Sequence, residues 1–328
     1  MPSGEDRLIA RFFRPLARAP EALGFTDDAA VMAPPPGADL VLKTDGVIEG
    51  VHFFPEDPAD SVAKKALRAN LSDLAAKGAE PLGFLLSLAL NDKADEKWLA
   101  AFAAGLGADA DAYRCPLLGG DTDRTPGLIS VSIAAFGHLP HGTMVKRSGA
   151  RAGDRIVVTG TIGDATLGLA LRREPARAQR AKLSPSERAH LAGRYLLPDP
   201  KVALAPALRA YASAAIDISD GLAGDLMKLA EASNVSARIE TERLPLSPAA
   251  RKMIAAEPAL LQTVLAGGED YEVLAAVPAA SLAALHAAAA EAGIALSEIA
   301  TARVGDGVEI IGPDGRPVVL SRPSYSHF

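Results

Sequence analysis

The stretch Ser61–Glu80, SVAKKALRANLSDLAAKGAE, constrains the fold more than any other part of the chain. Val62, Ala66, Leu67, Leu71, Leu74 and Ala75 recur at helical spacing, with Ser61 at an N-cap position and Gly78 at a stop. The spacing predicts an amphipathic helix whose apolar face must be buried against another element. Its last two turns carry Asn70, Ser72 and Asp73, mediocre helix formers placed where carbonyl ends make the local potential negative. A carboxylate there calls for a cation. Lys77, four residues on, offers a surface ion pair contributing about 0.2–0.5 kcal/mol. A metal ion is the alternative, because four other short stretches place carboxylates beside Gly, Ser or Thr at expected strand ends and turns.

Around this helix the chain alternates strands and helices. Glu5–Leu16 reads as a short helix and Gly24–Ala30 as a loop. Asp39–Lys43 is an apolar strand run ending on Thr44-Asp45-Gly46. Leu82–Leu90 is a strand, Glu96–Asp109 a helix, and Leu117-Leu118 lead into a turn, Gly119-Gly120-Asp121-Thr122-Asp123, before the strand Leu128–Phe136. This alternation argues for an α/β first half. The turn-rich, basic segment Arg147–Asp154 marks a domain boundary, giving domains 1–147 and 148–328. Beyond it come the strand Arg155–Thr159, a Gly-rich turn into the helix Ala165–Leu171, and a solvated, charged helical region over Arg172–Arg194. Ala214–Ile216 then leads to Asp217-Ile218-Ser219-Asp220-Gly221 and a helix over Leu222–Ala232, and Thr263–Ala266 leads to Gly267-Gly268-Glu269-Asp270-Tyr271. Asp-Gly after an apolar strand and a Gly-Gly-acid turn occur in both halves, an echo too short to be a repeat.

A length of 328 residues suits about two domains, each able to bury a core. The net charge of -6 argues against a general nucleic-acid binder. Cys115 is the one cysteine, which excludes an intrachain disulfide and a multi-cysteine metal site and suits a reducing cytosol. The absence of a leader-like N-terminus and of a long apolar run leads us to expect a soluble, cytoplasmic protein with no membrane partner.

The chemistry lies in the acids Asp27, Asp28, Asp45, Asp73, Asp121, Asp123, Asp217, Asp220, Glu269 and Asp270. Taken singly, each is an ordinary turn-forming residue. Brought together, they would repel unless hard cations sat between them. Oxygen-only ligands with Ser and Thr hydroxyls nearby suit Mg²⁺, which prefers one or two carboxylates plus substrate phosphates. Gly-Gly turns would let backbone N–H groups approach those phosphates. The joint reading is a metal-bridged nucleotide site. An EF-hand fails, since with Asp121 as the first loop position the sixth is Pro126, where Gly is required, and the twelfth is Ser132, where Glu is required. HExxH, GxSxG, GxGxxG and P-loop patterns do not occur. His52, between apolar residues, reads as a core histidine, and Arg147 as either solvated or gripping a phosphate.

The stretches FTDDAAVM, KTDGVIEGVHF, ANLSDLAAKGAEP, GGDTDR, KRSGARAGD, TGTIGD, DISDGL, GGEDYEV and the terminal SYSHF resemble, in order and spacing along nearly the whole chain, the thiamine-monophosphate kinases. These are a branch of the aminoimidazole-ribonucleotide-synthetase-like family of ATP-using enzymes. The resemblance implies a two-domain α/β fold with α+β character, a homodimer pairing through its N-terminal sheets, and ATP near the dimer interface. It implies transfer of the ATP γ-phosphoryl to thiamine monophosphate. By the same resemblance Asp28, Thr44, Asp45, Asp73, Asp121, Asp217 and Asp220 match Mg²⁺ ligands, with Asp27 adjacent, and Asp45, Asp73 and Asp121 are the expected catalytic acids. Gly120, Asp121, Arg147 and Ser219 match nucleotide contacts, and His52, Glu269 and Tyr325 match contacts to the thiamine phosphate. Two positions depart from the pattern: Thr26 where Gly is usual, and Lys43 where Ser or Thr commonly precedes Thr44-Asp45. A Lys43 ammonium either takes over part of a cation's charge or points away. Two competing readings are another ATP-dependent synthetase of the wider family and a non-catalytic nucleotide binder.

Overall fold

Successive residues of a strand face opposite ways, so Val41, Lys43, Asp45 and Val47 share one face of β1 (Ala38–Ile48) and Leu40, Leu42, Thr44 and Gly46 the other. In the computed structural model, which describes residues 4–322 and 324–325, this strand opens the first of two units. The first unit takes the chain up to Leu74 together with Ala79–Gly142, and the second takes Ala75–Gly78 and the chain from Thr143 onward. Ser326, His327 and Phe328 of the terminal SYSHF lie outside the described residues.

The first unit opens on a short helix, α1 (Gly4–Leu8), which is shorter than the sequence suggests and passes into π- and 3-10-helical turns. Its four-stranded sheet runs β1-β4-β2-β3, with β2 (Glu80–Leu90), β3 (Leu117–Arg124) and β4 (Ser130–Pro140). β4 pairs antiparallel with both β1 and β2, and β2 pairs parallel with β3. Both acid-bearing segments expected as turns are strand. Thr44, Asp45 and Gly46 pair with Ala134, Ile133 and Ser132, and Gly120 and Asp121 pair with Leu86 and Ser87. Cross-strand pairing outweighs the local turn preference of Gly and Asp.

The organising helix, α2 (Ala59–Ala76), begins two residues before Ser61, whose hydroxyl donates to Pro58 O at 2.7 Å instead of capping. It is buried almost all round, and only Asp60, Lys64, Arg68 and Asp73 keep partial exposure. Its apolar residues sit on the Val41–Val47 side of β1, where Asn70 Nδ2 reaches Asp45 O at 3.4 Å. The next helix, α3 (Glu96–Ala112), is capped by Asp95, which accepts the Trp98 N–H at 2.8 Å.

The second unit is built on a six-stranded sheet in the order β10-β7-β9-β5-β8-β6. Its strands are β5 (Arg155–Thr159), β6 (Ala214–Ile218), β7 (Ser236–Glu240), β8 (Glu272–Val277), β9 (Leu296–Arg303) and β10 (Val308–Ile311). Ile156 and Val158 of β5 belong to one apolar cluster and Val157 to another, so this sheet is buried on both faces. Its helices are α4 (Asp164–Arg173), α5 (Arg177–Arg180), α6 (Pro185–Leu196), α7 (Ala205–Tyr211), α8 (Leu222–Ser233), α9 (Pro248–Ala256), α10 (Leu260–Ala266) and α11 (Leu282–Glu291). The charged region over Arg172–Arg194 is helical and largely exposed as expected, with a Ser184–Glu187 capping box opening α6, and is anchored by buried Ala178, Ala181, Leu183 and Leu191. Among the described residues no helix is long and apolar enough to cross a membrane.

Candidate functional site

On the Leu40–Thr44 face of the first sheet lies an open cavity of about 800 Å³. Phe13, Phe25, Met32, Leu40, Leu42 and Phe136 make its apolar walls, and Asp27, Asp28, Thr44, Gly119, Gly120 and Asp121 its polar end. Five of the residues that the resemblance assigns to metal or nucleotide thus meet: Asp27, Asp28, Thr44, Gly120 and Asp121. Asp27 Oδ1 accepts the Asp28 N–H at 2.8 Å, and Asp121 Oδ1 accepts the Thr122 N–H at 3.0 Å, so each carboxylate is tied to the backbone beside it. Gly120 is required by close approach, because a Cβ on it would stand 1.9 Å from Leu86 O.

Asp45 and Asp73 are elsewhere. Strand alternation turns Asp45 away from Thr44 toward α2, where it meets Asp73 and Lys43. The Lys43 ammonium lies 3.1 Å from Asp45 Oδ2 and 2.8 Å from Asp73 Oδ2. It therefore does not point away, and Lys43 takes the Asp73 partnership offered by Lys77, whose ammonium donates to Ala215 O at 2.6 Å. Burial lowers the Lys43 pKa, but the carboxylates of Asp73 and Asp45 outweigh it and hold the ammonium above the ordinary lysine range. On the same helix Asn70 is fully buried, and its Oδ1 has no hydrogen-bond partner.

His52 is half-buried, and its Nδ1 accepts the Ile48 N–H at 3.1 Å. In the neutral ring that leaves the proton on Nε2. The His52 carbonyl accepts at 2.7 Å from Lys65, whose side chain is among the largest fully buried ones. Sequence reasoning passed over Lys65; a lysine at an apolar helical spacing is the signal that could have found it.

In the second unit, Asp217 is buried in β6 and Ser219 and Asp220 form the turn after it. The turn is shaped by a residue the sequence reading did not single out. Asp225 Oδ2 accepts the N–H groups of Ser219 and Asp220 at 3.1 and 3.0 Å. Lys228 then bridges Asp220 at 2.6 Å and Asp225 at 2.9 Å. Burial pushes the Asp225 carboxyl up, opposed by the Lys228 ammonium. Glu269 adopts φ 75° and donates its N–H to Ser219 O at 2.8 Å, while the Tyr325 N–H donates to Asp220 O at 2.9 Å. The SDG turn, the GGED turn and Tyr325 therefore converge. Arg147 is exposed on a loop tied down by Ser233, whose hydroxyl donates to Arg147 O at 3.3 Å and accepts the Gly149 and Ala150 N–H groups at 3.2 Å.

Asp270, counted among the cation-seeking acids, is instead a buried structural group. Its Oδ2 accepts the Gly163 N–H at 2.8 Å, so the Gly160–Asp164 turn spends that donor internally. Burial pushes the Asp270 carboxyl up to about 8, against the Gly163 hydrogen bond and nearby Arg194. Neighbouring Glu272 holds Arg194 at 2.8 Å, Lys201 at 3.2 Å and the Thr159 hydroxyl at 2.6 Å. Cys115 is buried, and burial pushes its thiol up to about 12, which removes it as a nucleophile.

Among the described residues no three acidic, histidine or cysteine side chains form a closed metal cage. The donor set around the cavity nevertheless suits Mg²⁺, because that ion takes few carboxylates and completes its shell with waters and phosphate oxygens. The exposed carboxylates of Asp27, Asp28 and Asp121 and the Thr44 hydroxyl are such donors.

Family models for the N-terminal domain of AIR synthase related proteins match residues 26–139, and those for the C-terminal domain match residues 151–312. The thiamine-monophosphate kinase of Caulobacter vibrioides is 42% identical over 330 residues, covering 99% of this chain and 91% of that protein. A crystal structure of the thiamine-monophosphate kinase of Stenotrophomonas maltophilia superposes with a TM-score of 0.83 at 38% identity, covering 95% of this chain and 96% of the other. A structure of AaThiL complexed with AMPPCP and TMP superposes with a TM-score of 0.76 at 30% identity, covering 92% and 91%.

Proposed function

The chain belongs to the thiamine-monophosphate kinase family of AIR synthase related proteins, and from that premise we propose direct, in-line phosphoryl transfer from ATP to thiamine monophosphate, assisted by several magnesium ions. An oxygen of the acceptor phosphate forms a bond to the γ-phosphorus. The bond from that phosphorus to the β,γ-bridging oxygen breaks, and ADP leaves with the electron pair. Thiamine diphosphate is the product.

One observation carries this reading: Asp27, Asp28, Thr44, Asp121 and the Gly119–Gly120 backbone share the polar end of one cavity of about 800 Å³, a size suited to a nucleotide. We assign Asp27, Asp28, Thr44 and Asp121 to magnesium in the first unit, and Asp217 and Asp220 in the second. Asp45 and Asp73, matched to magnesium by the resemblance, lie on the other face of the sheet with Lys43 as their partner. Bound magnesium supplies positive charge that offsets repulsion between two polyanions. The protein's own task is positioning. The acceptor is already an anionic oxygen, so no general base is needed. Gly120 lets β3 lie close against β2, which sets its backbone at the polar end of the cavity. We assign His52, whose Nδ1 accepts the Ile48 N–H, to the thiamine phosphate. In the second unit we assign Ser219 and Arg147 to the nucleotide, and Glu269 and Tyr325 to the thiamine phosphate. The exposed Leu40 and Leu42 on the open sheet face support a homodimer pairing through that sheet.

Mass spectrometry of products formed from ATP and magnesium with either thiamine or thiamine monophosphate tests the proposal. Diphosphate formed from the monophosphate alone, and abolished by chelation, is the expected result. Diphosphate formed from free thiamine, or turnover that survives chelation, would contradict it.

A further inference from the structure

Lys43 is the feature that the proposed reaction leaves unexplained. Two carboxylates from different elements, Asp45 on β1 and Asp73 on α2, converge on one face of the sheet, and an ammonium stands between them at 3.1 and 2.8 Å. We propose that Lys43 is a built-in cation that takes the place of a divalent ion at the Asp45–Asp73 pair and so sets how many metal ions the enzyme binds. The inference rests on the reading of the chain as a metal-dependent kinase.

Three observations carry it. First, the position is fixed by the strand: residues two apart share a face, so a lysine at 43 is delivered to the acid at 45 and to the helix packed there. Second, the pair is already served. Lys43 is 29% exposed and makes an ion pair with each carboxylate, so an entering divalent ion would have to break both contacts or lie against a like charge. Third, the two carboxylates that Lys43 bridges are hard oxygen donors. Asn70, one turn before Asp73 on α2, reaches Ala66 O at 2.9 Å and Asp45 O at 3.4 Å through its Nδ2, which holds the helix against β1 beside the pair. Without the ammonium, the Asp45 and Asp73 carboxylates would present the oxygens that a divalent ion prefers. Lys43 is what keeps such an ion out.

Counting bound Mn²⁺ on the full chain tests this, by electron paramagnetic resonance of free Mn²⁺ at saturating non-hydrolysable ATP analogue. Lys43→Ser and Lys43→Met are each expected to bind one more Mn²⁺ per chain than the parent protein, and Lys43→Arg the same number as the parent. An equal count in the parent and either folded neutral variant would overturn the proposal. Asp73→Asn in the parent background provides a check that needs no change at Lys43. The Mn²⁺ count should stay the same, and loss of an ion would show that the pair is an ordinary metal site. Turnover of thiamine monophosphate by the parent is scored separately. An active parent with an unchanged count refutes the role of Lys43 alone, whereas a parent that binds no Mn²⁺ with the analogue refutes the kinase reading.

Discussion

Replacing Gly120 by Ala tests whether the nucleotide wall depends on the close approach of β3 to β2. The added methyl would stand 1.9 Å from Leu86 O, where real Cβ contacts essentially never fall under 3.0 Å. The obstacle is backbone, so the two strands must separate by about 1 Å. Overpacking of this kind costs ~1–3 kcal/mol. Asp121, the next residue, moves with the strand, and a misplacement of about 1 Å in a positioning site costs on the order of 100-fold in rate. Urea unfolding followed through Trp98 fluorescence should show the stability loss, and steady-state assay of ADP release should show a fall in kcat/KM on the order of 100-fold. Gly119→Ala is the control: its methyl would meet only the Leu85 Cδ2 tip at 3.3 Å, which can give way, so its stability should stay within about 0.5 kcal/mol of the parent. A Gly120→Ala protein with parental stability and parental kcat/KM would refute the argument.

Two further predictions concern the second unit. The folded chain keeps a proton on Asp270 up to about pH 8, whereas the unfolded chain releases it near the ordinary value of 3.8. The stability that this group contributes is therefore full below that value and is lost as pH rises toward 8. Asp270→Asn, which has the same shape and no charge to release, should gain in melting temperature over the parent as pH goes from about 5 to about 8. A pH-independent difference between the two proteins would rule this out. Asp225→Ala removes the acceptor of the Ser219 and Asp220 N–H groups and one of the two carboxylates on Lys228. It should cost about 1–3 kcal/mol in a denaturation experiment and raise KM for ATP; unchanged values of both would show that the turn holds itself.

The helix α2 was legible because Leu and Ala at helical spacing record burial directly, although it is covered almost all round where the sequence suggests a single apolar face, and the acid-bearing motifs were legible as motifs. Their local shape was not. Thr44-Asp45-Gly46 and Gly119-Gly120-Asp121 carry turn-forming residues, yet both run inside strands, because pairing partners far along the chain decide the matter. Once β1 is known to be a strand, its alternation separates Thr44 from Asp45 without further information. The partner of Asp73 was hidden for a different reason. Lys77 is near in sequence, but Lys43 is near in space only after α2 packs on β1. Similarly, Arg194 reads as solvated because sequence shows charge but not the buried Glu272 that it meets.

The stereochemical course at phosphorus tests direct in-line transfer most closely. With ATPγS made chiral at the γ-phosphorus by oxygen isotopes, and thiamine monophosphate as acceptor, a single displacement predicts inversion of configuration in the thiophosphorylated product. Retention would mean two displacements through a phosphorylated enzyme, and would contradict the account.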